Sequence, residues 1–577
     1  MPAERPPAAK EIYDIYPCHD IGEGKIFRGI DDIAGRIARE SLVLIDGYIG
    51  VFFETIKQQL EQALHSLTAR TVIWVSTDLF LKPESEIDSL VSPFLGGDDP
   101  LFGRRTTLYL REFFNLENVT GFLAGTCEPL TIVYGIGAAL FSPVGLLLYF
   151  DLPKNELQFR ARAGSVTNLG AGVSADPKAM YKRFYFVDWI VLNRHKADIA
   201  ERIDILADAQ RHDDITWMTG TDFRESVAGL SANVFRARPW FEPGSWGGSW
   251  IKNKIPGINR EVPNYAWSFE LISPENGIIV TSSDYLLEFS FDFLMYLQAE
   301  SILGECHDRF KTDFPIRFDF LDTFDGGNLS VQCHPRPEYI KEHFGEEFTQ
   351  EEAYYILDNK ENSGVYLGFR DDISEDAFRE TLAESLSGGT EVKIDEYLLF
   401  HPSRKHDFFL IPCGTVHGSG INNLVLEIST TPYIFTFKMY DWLRPDLDGR
   451  PRPLNLGRAM ENLYFSRKGK AVYDELISRP QLEQSGPDWK IYHLPTHHSQ
   501  LYDVKRCHFN TVAEFNTFNR FFVMSLVEGV SISVRAGEGE IRRYSYAETF
   551  IIPAAAKRFR LINEGAGEAI VVMAFVK

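Results

Sequence analysis

Two histidines, a glutamate and a glutamine in the middle of the chain could together hold a metal ion. The segment 329–335 (LSVQCHP) predicts a strand, on which Gln332 and His334 would share one face. Glu352 stands just before an apolar run, and His417 lies where another predicted strand leaves a glycine turn. Imidazole, carboxylate and amide oxygen ligands suit a borderline divalent ion such as zinc. Spacing alone leaves open that these are ordinary core or surface side chains.

The elements that would position these residues are short strands. After residue 235, apolar runs rich in β-branched and aromatic residues alternate with Gly, Pro and Asn turns, a pattern typical of a β-sandwich or barrel. A helical insert is expected at about 375–386, and the same pattern returns over 495–577. Strands are predicted at 314–321, 329–333, 354–357, 365–369, 408–412, 423–428 and 569–575.

The first 230 residues have a different pattern. An apolar run at 42–45 ends in Asp46-Gly47, a helix is predicted at about 51–67, and a second apolar run follows at 71–75. Strand, helix and strand at this spacing indicate a parallel sheet, which further runs would extend. A charged helix is expected at about 193–212, before a boundary near 230. The sequence thus predicts an α/β domain over 1–230 and two β-rich domains over 235–494 and 495–577.

Composition excludes several function classes. Across 577 residues, 59 Lys and Arg stand against 81 Asp and Glu, a net charge of −22. Such a chain is a poor match for a nucleic-acid binder, which needs clustered basic residues. The uncharged stretch 130–150 contains Gly and Pro and is expected to form buried strands rather than a membrane span. The six cysteines are scattered and no signal peptide is apparent, so we predict a cytoplasmic protein.

Several ordered segments between about 238 and 577 resemble the type I phosphomannose (mannose-6-phosphate) isomerases, a family of zinc enzymes with two cupin (jelly-roll) domains. The resemblance implies that the two β-rich regions are cupins and that the C-terminal one, which repeats no ligand set, is structural. The segments that carry the resemblance are RPWF (238–241), SWGG (245–248), AWSFE (266–270), LSVQCHP (329–335), EAYYIL (352–357), VYLGF (365–369), DFFLIPCGTVHGSG (407–420), LVLEIS (424–429) and YDWLR (440–444).

The resemblance also implies an activity and a set of site residues. The family interconverts aldose and ketose phosphates by moving a proton between C1 and C2 through a cis-enediol, with zinc holding substrate oxygens. Glu427 would lie in the pocket as a proton shuttle, Arg444 would be the pocket arginine, and Ser330 would contact phosphate. The zinc ligands would be Gln332, His334, Glu352 and His417.

Two positions depart from the family pattern. Asp319 and Gln350 stand where the family has lysines near the substrate, and a carboxylate would repel a phosphate dianion. Arg317, two residues from Asp319 on the same strand face, could substitute. The loss of two cations indicates either an altered substrate or lost turnover. The alternative to a sugar (phosphate) isomerase is therefore a non-catalytic regulator that binds metal and sugar.

The N-terminal region faintly resembles a uridine-kinase-like P-loop fold. A phosphate-cradling loop ends in Gly-Lys-Ser/Thr between strand and helix, but residues 47–51 (GYIGV) contain no lysine. We therefore expect a degenerate kinase-like domain without ATP chemistry, and an unconventional sugar kinase is a weaker alternative. Asp46 and Asp78 could hold a metal ion, although strand-end aspartates commonly cap turns.

Overall fold

The structure is a computed structural model that describes residues 1–4, 13–97, 99–118, 129–432 and 435–577. One of the six cysteines, Cys127, lies outside the described residues. The chain divides into two compact units. The first consists mainly of Cys18–Leu230 and Pro274–Gln298, and the second of Ser231–Ser273 and Ala299–Lys577. The predicted division into three domains stays a prediction.

The first unit is built on a mixed, mostly parallel sheet, as the sequence predicted. Leu42–Gly47 is central and pairs in parallel with a strand on each side. Strands of this kind are covered on both faces, which explains their nearly continuous apolar runs. The seven strands lie in the order Val72–Ser76, Leu130–Tyr134, Leu42–Gly47, Leu146–Asp151, Ile205–Asp208, Thr216–Thr219 and Phe27–Arg28.

One sequence prediction in this unit was wrong. The stretch 193–212 was expected to be a single helix, but Trp189–Ile199 ends early and Ile205–Asp208 joins the sheet in parallel with Leu146–Asp151. The short apolar run before Asp208 is buried and fits a sheet position better than the end of an exposed helix. The helices of this unit include Asp31–Ile37, Phe53–Leu67, Glu84–Val91, Lys154–Arg162, Pro177–Arg183, Trp189–Ile199 and Gly220–Leu230.

A hairpin from later in the chain completes the first unit. Gly277–Ser282 and Tyr285–Ser290 form a small sheet with Cys18–Asp20. The hairpin contacts the carboxyl edge of the parallel sheet, where the Asp151 carboxylate accepts hydrogen bonds from the backbone N–H of Ser290 (2.6 Å) and from Lys196 Nζ (2.9 Å). Residues far apart in sequence thus share one buried polar cluster.

The second unit contains two antiparallel sheets that carry the candidate metal ligands. The core between them is apolar and includes Trp246, Tyr354, Val365, Phe409 and Val425. The larger sheet has the order Ile477–Ser478, Phe408–Ile411, Glu351–Asn359, Asn423–Thr430, Ile316–Asp322, Trp267–Leu271 and Trp240–Glu242. The smaller has the order Leu398–Pro402, Gly364–Phe369, His417–Ser419, Val331–Cys333 and Phe437–Tyr440.

A second pair of antiparallel sheets forms the C-terminal part of this unit around its own apolar core. Their alternating buried and exposed residues are typical of strands with one face on a core. The six-stranded sheet has the order Gln481–Ser485, Trp489–Leu494, Tyr502–Phe509, Ala569–Val576, Phe522–Glu528 and Thr549–Ile552. The four-stranded sheet has the order Val512–Asn516, Arg558–Asn563, Ser531–Ala536 and Ile541–Ser545.

Helices are few in the second unit. The predicted helical insert is present as Glu375–Gly388, whose Ser374 side chain caps the N-terminus by accepting from the backbone N–H of Ala377. In the part of the chain that the structure describes, no helix is long and apolar enough to cross a membrane. The other helices described in this unit are Trp250–Lys254, His307–Phe310, Pro337–Phe344, Leu456–Asn462 and Lys470–Glu475, while Asp292–Leu303 begins in the first unit and ends in the second.

Replacement of Asp151 by alanine should destabilise the first unit. The side chains of Asp151 and Lys196 are fully buried and form an ion pair, so the substitution would leave an ammonium group without its partner, at a cost of about 3–5 kcal/mol. Scanning calorimetry of the full chain should show a lower transition temperature. The exposed Asp213→Ala variant is the control, and an equal, small shift in both variants would contradict the prediction.

Candidate metal centre

Three of the candidate ligands lie on strands of the seven-stranded and five-stranded sheets that share the core of Trp246. The fourth, His334, directly follows one of these strands. Glu352 is on Glu351–Asn359 in the larger sheet, whereas Gln332 and His417 are cross-strand partners in the smaller sheet. His334 follows directly after Val331–Cys333. All four side chains are buried, with His334 and His417 fully so. The structure thus brings together the four residues that the sequence analysis named.

A glycine turn sets the position of His417. Gly414 has φ 72°, a conformation that favours glycine, and a Cβ there would lie 2.6 Å from the Asn462 carbonyl oxygen. Its backbone N–H donates to the carbonyl oxygen of His334 (2.9 Å). The turn therefore ties the chain leading to one candidate ligand to the backbone of the other.

The carboxylate of Glu352 lies between the two imidazoles. Its Oε2 is 3.1 Å from His334 Nε2, and its Oε1 is 2.8 Å from His417 Nε2. The ligand atoms of the three residues all lie within 4.8 Å of one another. Within the described residues, neither His334 Nε2 nor Glu352 Oε1 has hydrogen-bond geometry to any partner. Buried polar atoms without a hydrogen-bond partner are unusual, and a cation bound between these two would satisfy both.

Backbone carbonyls orient both rings. His334 Nδ1 is 2.9 Å from the carbonyl oxygen of Phe435, and His417 Nδ1 is 2.9 Å from that of Thr415. Because a carbonyl oxygen can only accept, each Nδ1 carries a proton, and each ring in its neutral form presents an Nε2 lone pair to the site. This is the usual outer arrangement of a metal-binding histidine.

Gln332 is close to the other candidates, but its amide nitrogen faces them. Its Nε2 lies 3.2 Å from His417 Nε2, while its Oε1 accepts from the Ser330 hydroxyl at 2.9 Å. A half-turn of the amide would direct the oxygen into the site and let its NH₂ donate to Ser330. Gln332 can therefore serve as a fourth ligand only in that rotated state.

The pKa of Glu352 is shifted in the opposite direction from the pKa values of the acids around it. Burial alone would raise the pKa of Glu352, but His334 and His417 outweigh that effect and hold it well below its usual range. The pKa of His334 is correspondingly raised, because the attraction of Glu352 exceeds the cost of burial. The geometry favours an ionised carboxylate between two imidazoles.

Two further carboxyl groups lie beside this centre. Asp319 and Glu427 are direct cross-strand partners, and Tyr354 pairs with Glu427 on the other side. Burial, followed by the charge of Glu352, raises the pKa of Asp319 well above its usual range. Burial and then the charges of Asp319 and Glu352 do the same for Glu427. The pocket next to the candidate ligands is therefore rich in acid groups.

The Tyr354 hydroxyl is a site feature that the sequence analysis missed. The side chain is fully buried, its ring meets that of His417 nearly at right angles, and its hydroxyl has no hydrogen-bond partner within the described residues. The alternation of side chains along a strand places Tyr354 on the same face as Glu352. This alternation was the sequence signal that could have identified Tyr354 as a neighbour of the site.

The predicted arginines are engaged by the protein itself. Arg444 donates to the carbonyl oxygen of Asn328 (2.8 Å) and to Asp441 Oδ1 (3.0 Å), and Arg317 donates to the carbonyl oxygen of Pro432. The Ser330 hydroxyl contacts Gln332, as described above. Ser330 thus lies beside a candidate metal ligand, whereas the two arginines contact Asn328, Asp441 and Pro432.

Several curated proteins that resemble this chain share the name mannose-6-phosphate isomerase. Mannose-6-phosphate isomerase ManA of Bacillus subtilis is 26% identical over 346 residues, covering 58% of this chain and 96% of that protein. The chain is a distant homologue of mannose-6-phosphate isomerases. The mannose-6-phosphate isomerase of Streptococcus mutans is 27% identical over 228 residues, covering 39% of this chain and 66% of that protein.

Solved structures and a family model also match. A crystal structure of the mannose 6-phosphate isomerase from Bacillus subtilis is 22% identical and covers 59% of this chain and 99% of its own, with a TM-score of 0.46. A putative mannosephosphate isomerase from Archaeoglobus fulgidus is 17% identical, covering 60% and 98% of the two chains, with a TM-score of 0.46. Residues 29–232 match a family described as Domain of unknown function (DUF8485).

Asp46 in the first unit has the contacts of a structural cap. Its oxygens accept from the backbone N–H groups of Gly47 (2.7 Å), Gly137 (2.9 Å) and Ala139 (2.8 Å), and Oδ2 lies 2.8 Å from His195 Nε2. In the described part of the chain, the one group of three or more His, Cys, Asp or Glu side chains whose ligand atoms lie close enough together to hold a metal ion is His334, Glu352 and His417. These contacts favour the capping interpretation of Asp46.

Substitution of either histidine should remove bound metal. His334→Ala and His417→Ala each delete an Nε2 ligand, so zinc content per chain, measured by elemental mass spectrometry after dialysis, should fall from about one towards zero. His498→Ala, at an exposed position, is the control and should keep its metal. Full zinc content in both site variants would show that the ion binds elsewhere.

Proposed function

We propose that the second unit is a zinc-dependent aldose–ketose isomerase, acting on mannose 6-phosphate or a related sugar. The observation that carries the proposal is the buried His334, Glu352 and His417 cluster in a chain homologous to mannose-6-phosphate isomerases. That homology implies the binding of a sugar phosphate. The fit of the donor set to zinc supports a metal enzyme over a metal-free one.

The residues divide into those that bind the metal and those that face the substrate. Gln332, in its rotated state, completes the ligand set. Zinc bound there would polarise substrate oxygens and stabilise negative charge. Glu427, partly exposed beside the cluster, would move the proton between C1 and C2. Ser330, Arg317 and Arg444 would contact the sugar or its phosphate, and each arginine would have to leave a carbonyl partner to do so.

The domain assignments complete the proposal. We assign residues 235–494 and 495–577 to two cupin domains, the first catalytic and the second structural. Residues 1–230 form a degenerate kinase-like domain. The hydrogen bonds that Asp46 accepts from backbone N–H groups support a structural role for this residue. A cytoplasmic location fits the scattered cysteines, which form no disulfide among the described residues.

A second candidate function is a sugar-binding regulator that has lost turnover. Asp319 favours it, because its carboxyl group lies against Glu427 where the family pattern has a lysine. A carboxyl group there offers no positive charge to a phosphate and would not stabilise an enediolate. The two candidates differ in whether the bound sugar reacts.

Turnover can be tested directly in deuterium oxide. Zinc-loaded protein would be incubated with mannose 6-phosphate, fructose 6-phosphate and several free aldoses, and NMR would follow deuterium at C2 and ketose formation. Isomerisation through an enediol moves a proton between C2 of the aldose and C1 of the ketose, where it exchanges with solvent. The isomerase should therefore give product, with deuterium at C1 of a ketose or C2 of an aldose, from at least one sugar. Metal-loaded protein that binds a sugar without labelling it would favour the regulator.

Glu427→Gln should separate catalysis from metal binding. Removal of a general acid–base group is expected to lower kcat by about 10²–10⁴-fold, while zinc content remains that of the unmodified protein because Glu427 is not a proposed ligand. Glu461→Gln, an exposed helix position, is the matched control. A kcat close to the control value would remove Glu427 from the mechanism.

A further inference from the structure

A closed ring of polar contacts, three of them hydrogen bonds, connects Gln350 to two of the proposed metal ligands. Gln350 lies immediately before Glu351–Asn359 and is 6% exposed. Its Nε2 donates to Glu352 Oε2 at 3.1 Å, and its Oε1 accepts from the backbone N–H of Phe435 at 3.0 Å. The carbonyl oxygen of Phe435 accepts from His334 Nδ1, and His334 Nε2 lies 3.1 Å from the same Glu352 oxygen.

The chemistry of the ring fixes how the Gln350 amide must lie. A carboxylate needs a donor and a peptide N–H needs an acceptor, and the amide supplies both in a single orientation. The reverse orientation would place oxygen against carboxylate and NH₂ against N–H. Lysine at this position would offer no acceptor to Phe435, and glutamate would offer no donor to Glu352. The side chain is therefore matched to both neighbours.

We propose that Gln350 is a positioning residue of the metal centre, which holds the Glu352 carboxylate directly and the His334 ring through the backbone N–H and C=O of Phe435. This rests on the metal site of the proposed function and extends it. Outer contacts of this kind orient ligands and commonly change metal affinity by about 10–100-fold when removed. Gln350, at the position where the family has a lysine, thus removes a positive charge and in its place supplies two hydrogen bonds that position the ligands.

Gln350→Met tests the proposal, because methionine has similar length and neither donates nor accepts as an amide does. In the chelator-stripped full chain, zinc affinity measured by competition with a chromophoric chelator should fall about 10–100-fold. The absorption bands of the Co²⁺-loaded variant should shift, because the ligands are held differently, and amide exchange at Phe435 should speed up. Gln484→Met, on an exposed strand, is the matched control.

Gln350→Glu provides a second test that does not depend on the methionine variant folding. Its carboxylate keeps the acceptor for Phe435, so amide exchange there should stay slow, but it lacks the donor for Glu352 and the Co²⁺ bands should shift. Unchanged zinc affinity in the Met variant, or unchanged bands in the Glu variant, would overturn the positioning role alone. Zinc binding that is equally tight in His334→Ala would overturn the metal centre itself, and the role of Gln350 with it.

Discussion

The second unit depends on one electrostatic constraint, which is the ionised Glu352 carboxylate buried between two imidazoles and beside two other acids. A buried carboxylate is costly unless cationic or donor groups surround it. Here the histidines offer Nε2 atoms, while their Nδ1 protons are engaged by carbonyls of Phe435 and Thr415. A divalent cation would satisfy the lone pairs of all three ligands at once. The proposed zinc thus balances the charge of the site as well as taking part in its chemistry.

The backbone is arranged to maintain this constraint. Glu352 comes from the larger sheet, and His334 and His417 come from the smaller one, so the ligand atoms meet only when the two sheets pack on their shared apolar core. The Gly414 turn and the backbone N–H and C=O of Phe435 link the ligand-bearing segments by further hydrogen bonds. Packing and polar contacts therefore position the site together, and the loss of either would separate the ligands.

The path of the chain ties the candidate site to the first unit through covalent connection. Trp267–Leu271 and Ile316–Asp322 are neighbours in the larger sheet, yet the chain between them leaves to form the hairpin of the first unit. That hairpin is held by buried polar contacts to Asp151 and Asp208. Asp319 therefore lies on a strand that the chain reaches only after it has formed this hairpin.

The sequence by itself determined much of the local structure. Apolar runs predicted most of the parallel strands of the first unit and seven strands of the second, and the order of family-like segments identified the four candidate ligands. Local patterns failed at 193–212, where a charged helix and a short buried strand follow each other without a strong turn signal. They also could not show that Pro274–Gln298 belongs to the first unit, because that grouping rests on contacts between residues far apart in sequence.

Tertiary structure alone decided the details of the site. Sequence showed that Asp319 and Gln350 departed from the family pattern, but not that Asp319 faces Glu427 or that Gln350 bridges Glu352 and Phe435. It also could not show that Arg317 and Arg444 donate to backbone carbonyls. The physical reason is that hydrogen bonds and charge effects depend on distances of a few ångströms between side chains from different strands. Those distances are fixed only when the sheets pack.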